Sequence, residues 1–90
     1  MSVFPARLVT PERVVFDEPV QAVFLRTVDG EAGFLAGHAR LVGALVDGDV
    51  RFQREDGTEE VVTAHGGFVQ VDGTQVTVLT PVVETLENGS

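Results

Sequence analysis

Two histidines hold most of the chemical potential of this sequence. His38 lies in Gly33-Phe34-Leu35-Ala36-Gly37-His38-Ala39-Arg40-Leu41, and His65 in Thr63-Ala64-His65-Gly66-Gly67-Phe68. A metal centre needs three or four ligands at compatible spacing, and neither histidine has another histidine or a carboxylate at a recognised offset. Structural use of both is the expectation, with no metal and no cofactor. Gly66-Gly67 precedes an alternating segment without a following helix, so it reads as a bulge or close backbone approach and not as a phosphate cradle. Carboxylates are plentiful at Glu12, Asp17, Glu18, Glu31, Asp47, Asp49, Glu55, Asp56, Glu59 and Glu60. Their spacing singles out no acid–base pair, and solvated turns and strand edges account for most of them.

Other reactive groups are missing. Without cysteine there is no disulfide, thiolate metal site or thiol nucleophile. Without lysine there is no Schiff base and no phosphate-gripping lysine. Serine occurs only at Ser2 and Ser90, so serine-nucleophile catalysis has no internal residue to use. The 90 residues carry 14 acids against 6 arginines, a net charge of −8, which argues against nucleic acid and against a polybasic membrane anchor. The opening MSVFPARLVTPER has prolines and arginines where a signal peptide needs an apolar core. No run approaches membrane-spanning length, so no direct membrane insertion is expected and the default is a soluble cytoplasmic protein.

The elements that must position these residues are strands. Eighteen valines, eight threonines and six phenylalanines suit a pleated surface. Asp-Gly at 29–30, 47–48, 56–57 and 72–73 supplies the turn chemistry of tight hairpins. Between them Val50 and Phe52 alternate with Arg51 and Gln53, Val69 and Val71 with Phe68 and Gln70, and Val76 and Val78 with Thr77. Leu35, Leu41, Leu45 and Val46 nearly follow helical spacing. Gly37 and Gly43 would each cost such a helix about 1 kcal/mol, so loop followed by strand is the reading there. One all-β domain results, an antiparallel sandwich or barrel. In Val20–Val28 one face holds Val20, Ala22 and Phe24 and the other holds Val23 and Leu25, so Val23 and Leu25 become candidates for a partner surface.

The stretch Gly30-Glu31-Ala32-Gly33-Phe34-Leu35-Ala36-Gly37-His38-Ala39-Arg40-Leu41 closely resembles a motif of the epsilon subunit of F-type ATP synthases, a glycine and two apolar residues followed by Pro-Gly-His-Ala-Pro-Leu. Leu8-Val9-Thr10-Pro11-Glu12 resembles the family's opening strand and turn, and Val14–Phe16 the short strand after it. Asp47-Gly48-Asp49-Val50-Arg51 stands where the family has Pro-Gly and a strand. Gly66-Gly67-Phe68-Val69-Gln70-Val71 and Val76-Thr77-Val78-Leu79 resemble its final hairpin. The match spans about residues 2–83. Ala36, Arg40 and Asp47 replace family prolines, which leaves those loops without a fixed φ.

That resemblance implies a single-domain antiparallel β-sandwich of about ten short strands over residues 1–83, with 84–90 as a short polar tail. It implies a non-catalytic rotor subunit that docks on the gamma subunit and the c-ring, peripheral at the cytoplasmic face of the energy-coupling membrane, coupling ion-driven rotation to ATP synthesis. By similarity Thr10, His38 and Arg40 lie near gamma, and Glu31 near the c-ring, paired with a cationic loop residue. The family's two C-terminal helices inhibit hydrolysis and in some members bind ATP. The seven residues from Glu84 are too few for a helix, which needs about 12–15 to be even marginal, so neither activity is expected of them. The alternatives are a free-standing β-sandwich binding module that uses the loop 31–40, and a small cupin-like metal enzyme using both histidines.

Overall fold

Alternation along each strand decides which side is buried, and here it builds two layers. The computed structural model describes residues 2–37 and 40–85. The strands are β1 (Phe4–Val9), β2 (Val14–Val20), β3 (Ala22–Thr27), β4 (Gly30–Leu35), β5 (Leu41–Ala44), β6 (Gly48–Gln53), β7 (Glu59–Ala64), β8 (Phe68–Val71), β9 (Val76–Leu79) and β10 (Val83–Thr85). Sheet A has the order β2-β1-β9-β8-β5, and sheet B the order β10-β7-β6-β3-β4. Among the described residues there is no helix: Phe34 and Leu35 end β4 where a loop was expected, Ala36 and Gly37 form a turn, and Leu41–Ala44 form the expected strand, β5.

Leu8, Val69, Val71, Val76 and Val78 from sheet A meet Val23, Val50, Phe52 and Val62 from sheet B, all of them buried. Fully burying each such side chain stabilises the fold by about 1.5–3 kcal/mol before chain entropy is charged against it. The edge strand β2 is tied to sheet B twice. The Phe16 and Phe52 rings stack nearly parallel with centroids 4.1 Å apart. Above them Arg54 grips Glu18 with two nitrogens at 2.8 and 3.2 Å and reaches Glu60 of β7 at 3.2 Å.

Hydrogen bonding from Arg54 holds the Glu18 carboxyl below the usual glutamate range. A lowered folded-state value means that this contribution is complete above the unfolded pKa and is lost as pH falls through the folded one. Both side chains are partly exposed, so the pair is worth less than about 1 kcal/mol. Urea unfolding is expected to find Glu18→Gln weaker than the parent by that amount at pH 7. The difference closes once acid has protonated Glu18, and a gap that persists there refutes the assignment.

Four further details differ from the sequence expectations. The sandwich is not wholly antiparallel: β1 runs parallel to β9, from Ala6 opposite Val76 to Val9 opposite Leu79. The apolar run 20–28 breaks at Gln21, so Val20 ends β2 and faces the core. Asp47-Gly48 closes no hairpin; the chain crosses there from sheet A to sheet B, and Gly48 has no positive φ, unlike Gly30, Gly57 and Gly73 of the other three pairs. Glu84 and Thr85 are not tail, because they continue β10 in register against Thr63 and Val62 of β7.

Candidate docking surfaces

The outer face of sheet A carries an apolar row. Strand register places Val14 beside Val9, Val9 beside Leu79, Leu79 beside Phe68, and Phe68 beside Ala44. This row crosses all five strands in the order β2-β1-β9-β8-β5. Phe68 is 57% exposed and Leu79 46%. The next row inward is mixed: Arg7, Thr77, Gln70 and Val42, the last 71% exposed. Scattered single apolar side chains are ordinary on a protein surface, whereas a contiguous strip marks an interface.

Beside the strip, Val9, Thr10, Pro11, Gly67, Phe68, Leu79, Thr80 and Pro81 line a shallow concavity of about 450 Å³. Thr10 shapes its rim. Its hydroxyl accepts from the Glu12 and Arg13 amides at 3.2 Å each and donates to the Arg13 carbonyl at 3.3 Å, closing the β1–β2 turn. Thr10 therefore fixes backbone at the edge of the strip. Arg40 is exposed and precedes Leu41, which pairs with Val71 at the other end of β8 from Phe68. It faces the β8–β9 turn, where the bonds from the Thr74 and Gln75 amides, and to a smaller degree the Arg40 charge, hold the Asp72 carboxyl below its usual range. Thr10 and Arg40 thus bracket one face of sheet A. His38 lies outside the described residues.

Val23 and Leu25 do not form a partner surface. They are 0% and 4% exposed and belong to the core, since the break at Gln21 turns their side of β3 inward. The outward side of β3 carries Phe24 and Arg26 instead. The Phe24 ring lies under the Arg51 guanidinium, 5.7 Å from its centre, and a Cβ added at Gly33 would come within 3.0 Å of that ring. Around them Phe24, Arg26, Glu31, Gly33, Asp49 and Arg51 help to line a second concavity, of about 610 Å³, on sheet B. Glu31 stands on β4 at this surface, exposed and already bonded to Arg26 at 3.0 Å. A cation arriving at Glu31 competes with an internal arginine.

His65 is half-buried after β7. Its Nε2 lies 2.9 Å from Glu84 and its Nδ1 3.5 Å from Asp47. The two carboxylates face different ring nitrogens and so cannot share one metal ion with the imidazole. No group of three or more ligands that could hold a metal occurs among the described residues.

Phe68 and Leu79 are the functional candidates that sequence reasoning passed over. A signal was present: in Phe68-Val69-Gln70-Val71 and Val76-Thr77-Val78-Leu79, each strand puts one large apolar residue on its otherwise polar side.

Comparison with known proteins fits this sandwich. Residues 3–86 match the family described as ATP synthase, Delta/Epsilon chain, beta-sandwich domain. The ATP synthase epsilon chain of Alkalihalophilus pseudofirmus is 43% identical over 84 residues, covering 93% of this chain and 62% of that protein. The epsilon chain of Bacillus pumilus is 40% identical over 85 residues, covering 94% and 64%. This chain therefore spans under two thirds of the length of those relatives. Among solved structures, a chain in the cryo-EM structure of Euglena gracilis mitochondrial ATP synthase, OSCP/F1/c-ring in rotational state 1, superposes with a TM-score of 0.89 at 29% identity, covering all of this chain and 57% of that one. A chain of the Tetrahymena thermophila mitochondrial ATP synthase central stalk/c-ring, with a TM-score of 0.73 at 11% identity over 90% of this chain and 65% of that one, shares the fold. The motif around Gly30–Leu41, the paired five-stranded sheets and the match over nearly every residue converge: the chain belongs to the ATP synthase epsilon-chain family, whose β-sandwich domain it forms.

Proposed function

We propose that this domain is a non-catalytic coupling piece of a rotary ATP synthase, seating the outer face of sheet A on the gamma subunit and presenting the β3–β4 end of sheet B, with Glu31, to the c-ring. The observation that carries the reading is the apolar row through Val9, Leu79 and Phe68, which a solitary sandwich has no reason to keep in water. Its central aromatic and leucine have the character of interface anchors, and the mixed row beside them has that of a rim. The two candidate surfaces lie on opposite sheets, as suits a body held between two partners. Torque passes through such a body only if it is stiff, and the Phe16–Phe52 stack with the Arg54 grip bonds the layers together. On this reading the subunit is peripheral at the cytoplasmic face of the membrane and takes part in no bond-making step. No helix of the described residues is long and apolar enough to cross a membrane.

The test is affinity for purified gamma subunit. Phe68→Asp combined with Leu79→Asp is expected to weaken binding by about thirtyfold or more, the effect of losing a buried anchor worth about 2 kcal/mol. Arg51→Gln, on the opposite sheet, is expected to leave it unchanged. The two side chains are directly paired and about half exposed, so opposed aspartates lower the unfolding temperature; binding is therefore measured well below the double variant's own unfolding midpoint, which separates docking from folding. Undiminished gamma binding by the double variant overturns the proposal.

A further inference from the structure

The arrangement around His65 exceeds what a passive docking body requires. Strand β10 is three residues long, lies at the edge of sheet B and, among the described residues, pairs only with β7. It is also the last described segment. Beside it, the His65 amide donates to the Val82 carbonyl at 3.0 Å, which brings the ring alongside Glu84. The ring then spans three elements: its own position after β7, Glu84 on β10 through Nε2 at 2.9 Å, and Asp47 in the β5–β6 turn through Nδ1 at 3.5 Å.

A neutral imidazole carries a single N–H, so it can donate to only one of two carboxylates and turns a lone pair toward the other. An imidazolium donates from both nitrogens and adds charge attraction to each. The geometry with an acid on either side therefore suits the protonated ring. We infer that His65 is a proton-operated latch: protonated, it clamps β10 to β7 and to the β5–β6 turn, and on losing its proton it loosens β10.

The surrounding charges agree with this. Glu84 and then Asp47, both as hydrogen-bond partners, raise the His65 pKa above its usual value. From the β9–β10 connection the neighbours are uncharged: the Val82 carbonyl, and the Thr80 hydroxyl bonded to the Gly66 carbonyl at 2.7 Å. Asp49 on β6, opposite Thr63 in the strand register, accepts from the Thr63 hydroxyl at 2.8 Å. A raised folded-state value fixes the sign: the clamp is complete below about pH 6.5, the unperturbed histidine value, and is lost as pH rises through the folded one. This switch is independent of gamma docking, since it lies on β10, β7 and a turn and uses no residue of the apolar row.

The test is amide hydrogen exchange by NMR on the 90-residue chain, corrected for intrinsic rates, with the His65 ring titrated in the same samples. Protection of the β10 amides is expected to fall about two- to fivefold as pH rises through the His65 midpoint, the range of exposed ion pairs. His65→Gln is expected to abolish the step, and Glu84→Gln to move the ring midpoint down toward the ordinary histidine value. A parent protein without a step at the His65 midpoint overturns the inference, as does a step that survives in His65→Gln. The Glu84→Gln titration decides the matter even if His65→Gln folds poorly, because an unmoved midpoint removes the clamp.

Discussion

Replacing Gly67 with alanine is expected to cost about 3 kcal/mol or more of folding stability. Gly67 has φ +111°, outside the range that side-chain-bearing residues tolerate. A Cβ there would press on the Leu79 carbonyl oxygen and lie 2.8 Å from the Thr80 Cα, both backbone atoms of β9 and its exit. No rotamer change relieves a clash with main chain. Neighbouring bonds cannot yield either: the Gly67 carbonyl accepts from Leu45 at 2.9 Å, and the Thr80 amide donates to Val9 at 3.1 Å. A domain of this size has a total stability of about 5–13 kcal/mol, so the loss is a large share of it. Gly57→Ala is the matched comparison. Gly57 has φ +91°, yet nothing lies within 4 Å of its added Cβ, so backbone strain of about 1–2 kcal/mol is all that is expected. Urea midpoints of the two variants measure the contrast, and equal midpoints would contradict the close-approach account.

Phe52→Ala is expected to destabilise the domain by about 3–5 kcal/mol, through lost burial and the cavity left behind. Phe52 is fully buried on β6, between Val23 of β3 and Glu60 of β7 in the strand register. Its partner Phe16 sits on β2, at the far edge of the other sheet, so the cavity opens where the two layers are joined. Phe16 is also covered from outside by Arg54, whose guanidinium lies 5.6 Å from the ring centre. Truncation at 52 is therefore expected to loosen β2 beyond the lost packing itself. Hydrogen exchange should show β2 amides losing more protection than those of β8, which lies away from the stack. Uniform loss across both strands would argue that β2 is held by other contacts.

Elements were legible where alternation was clean. Val69 and Val71 with Val76 and Val78 named both the final hairpin and its buried face, and the Gly66-Gly67 pair named a close backbone approach that Gly67 realises against Leu79. The family motif supplied the number of strands. Illegible features depended on long-range pairing. The parallel β1–β9 contact joins segments that share no local signal, and register alone assembles the strip from Val14 to Ala44. Val23 and Leu25 misled because the run from Val20 to Val28 shows no polar residue at the break except Gln21, so the side that becomes the core could not be chosen locally. Among the candidate site residues, Thr10 falls beside the strip and Arg40 at the opposite end of β8, whereas Glu31 proves to be engaged by Arg26.

The parallel union of β1 with β9 has a consequence for how the protein is made. On a ribosome Phe4–Val9 emerges long before its partner Val76–Leu79. The β1–β2 hairpin can form early, but a lone two-stranded hairpin is marginal in water. Sheet A stays split until Val76–Leu79 has emerged, and the apolar residues of β1 and β2 wait uncovered meanwhile. The interval between initiation and closure is thus the stage at which this chain most needs a chaperone, and it lengthens with every pause in elongation before residue 76.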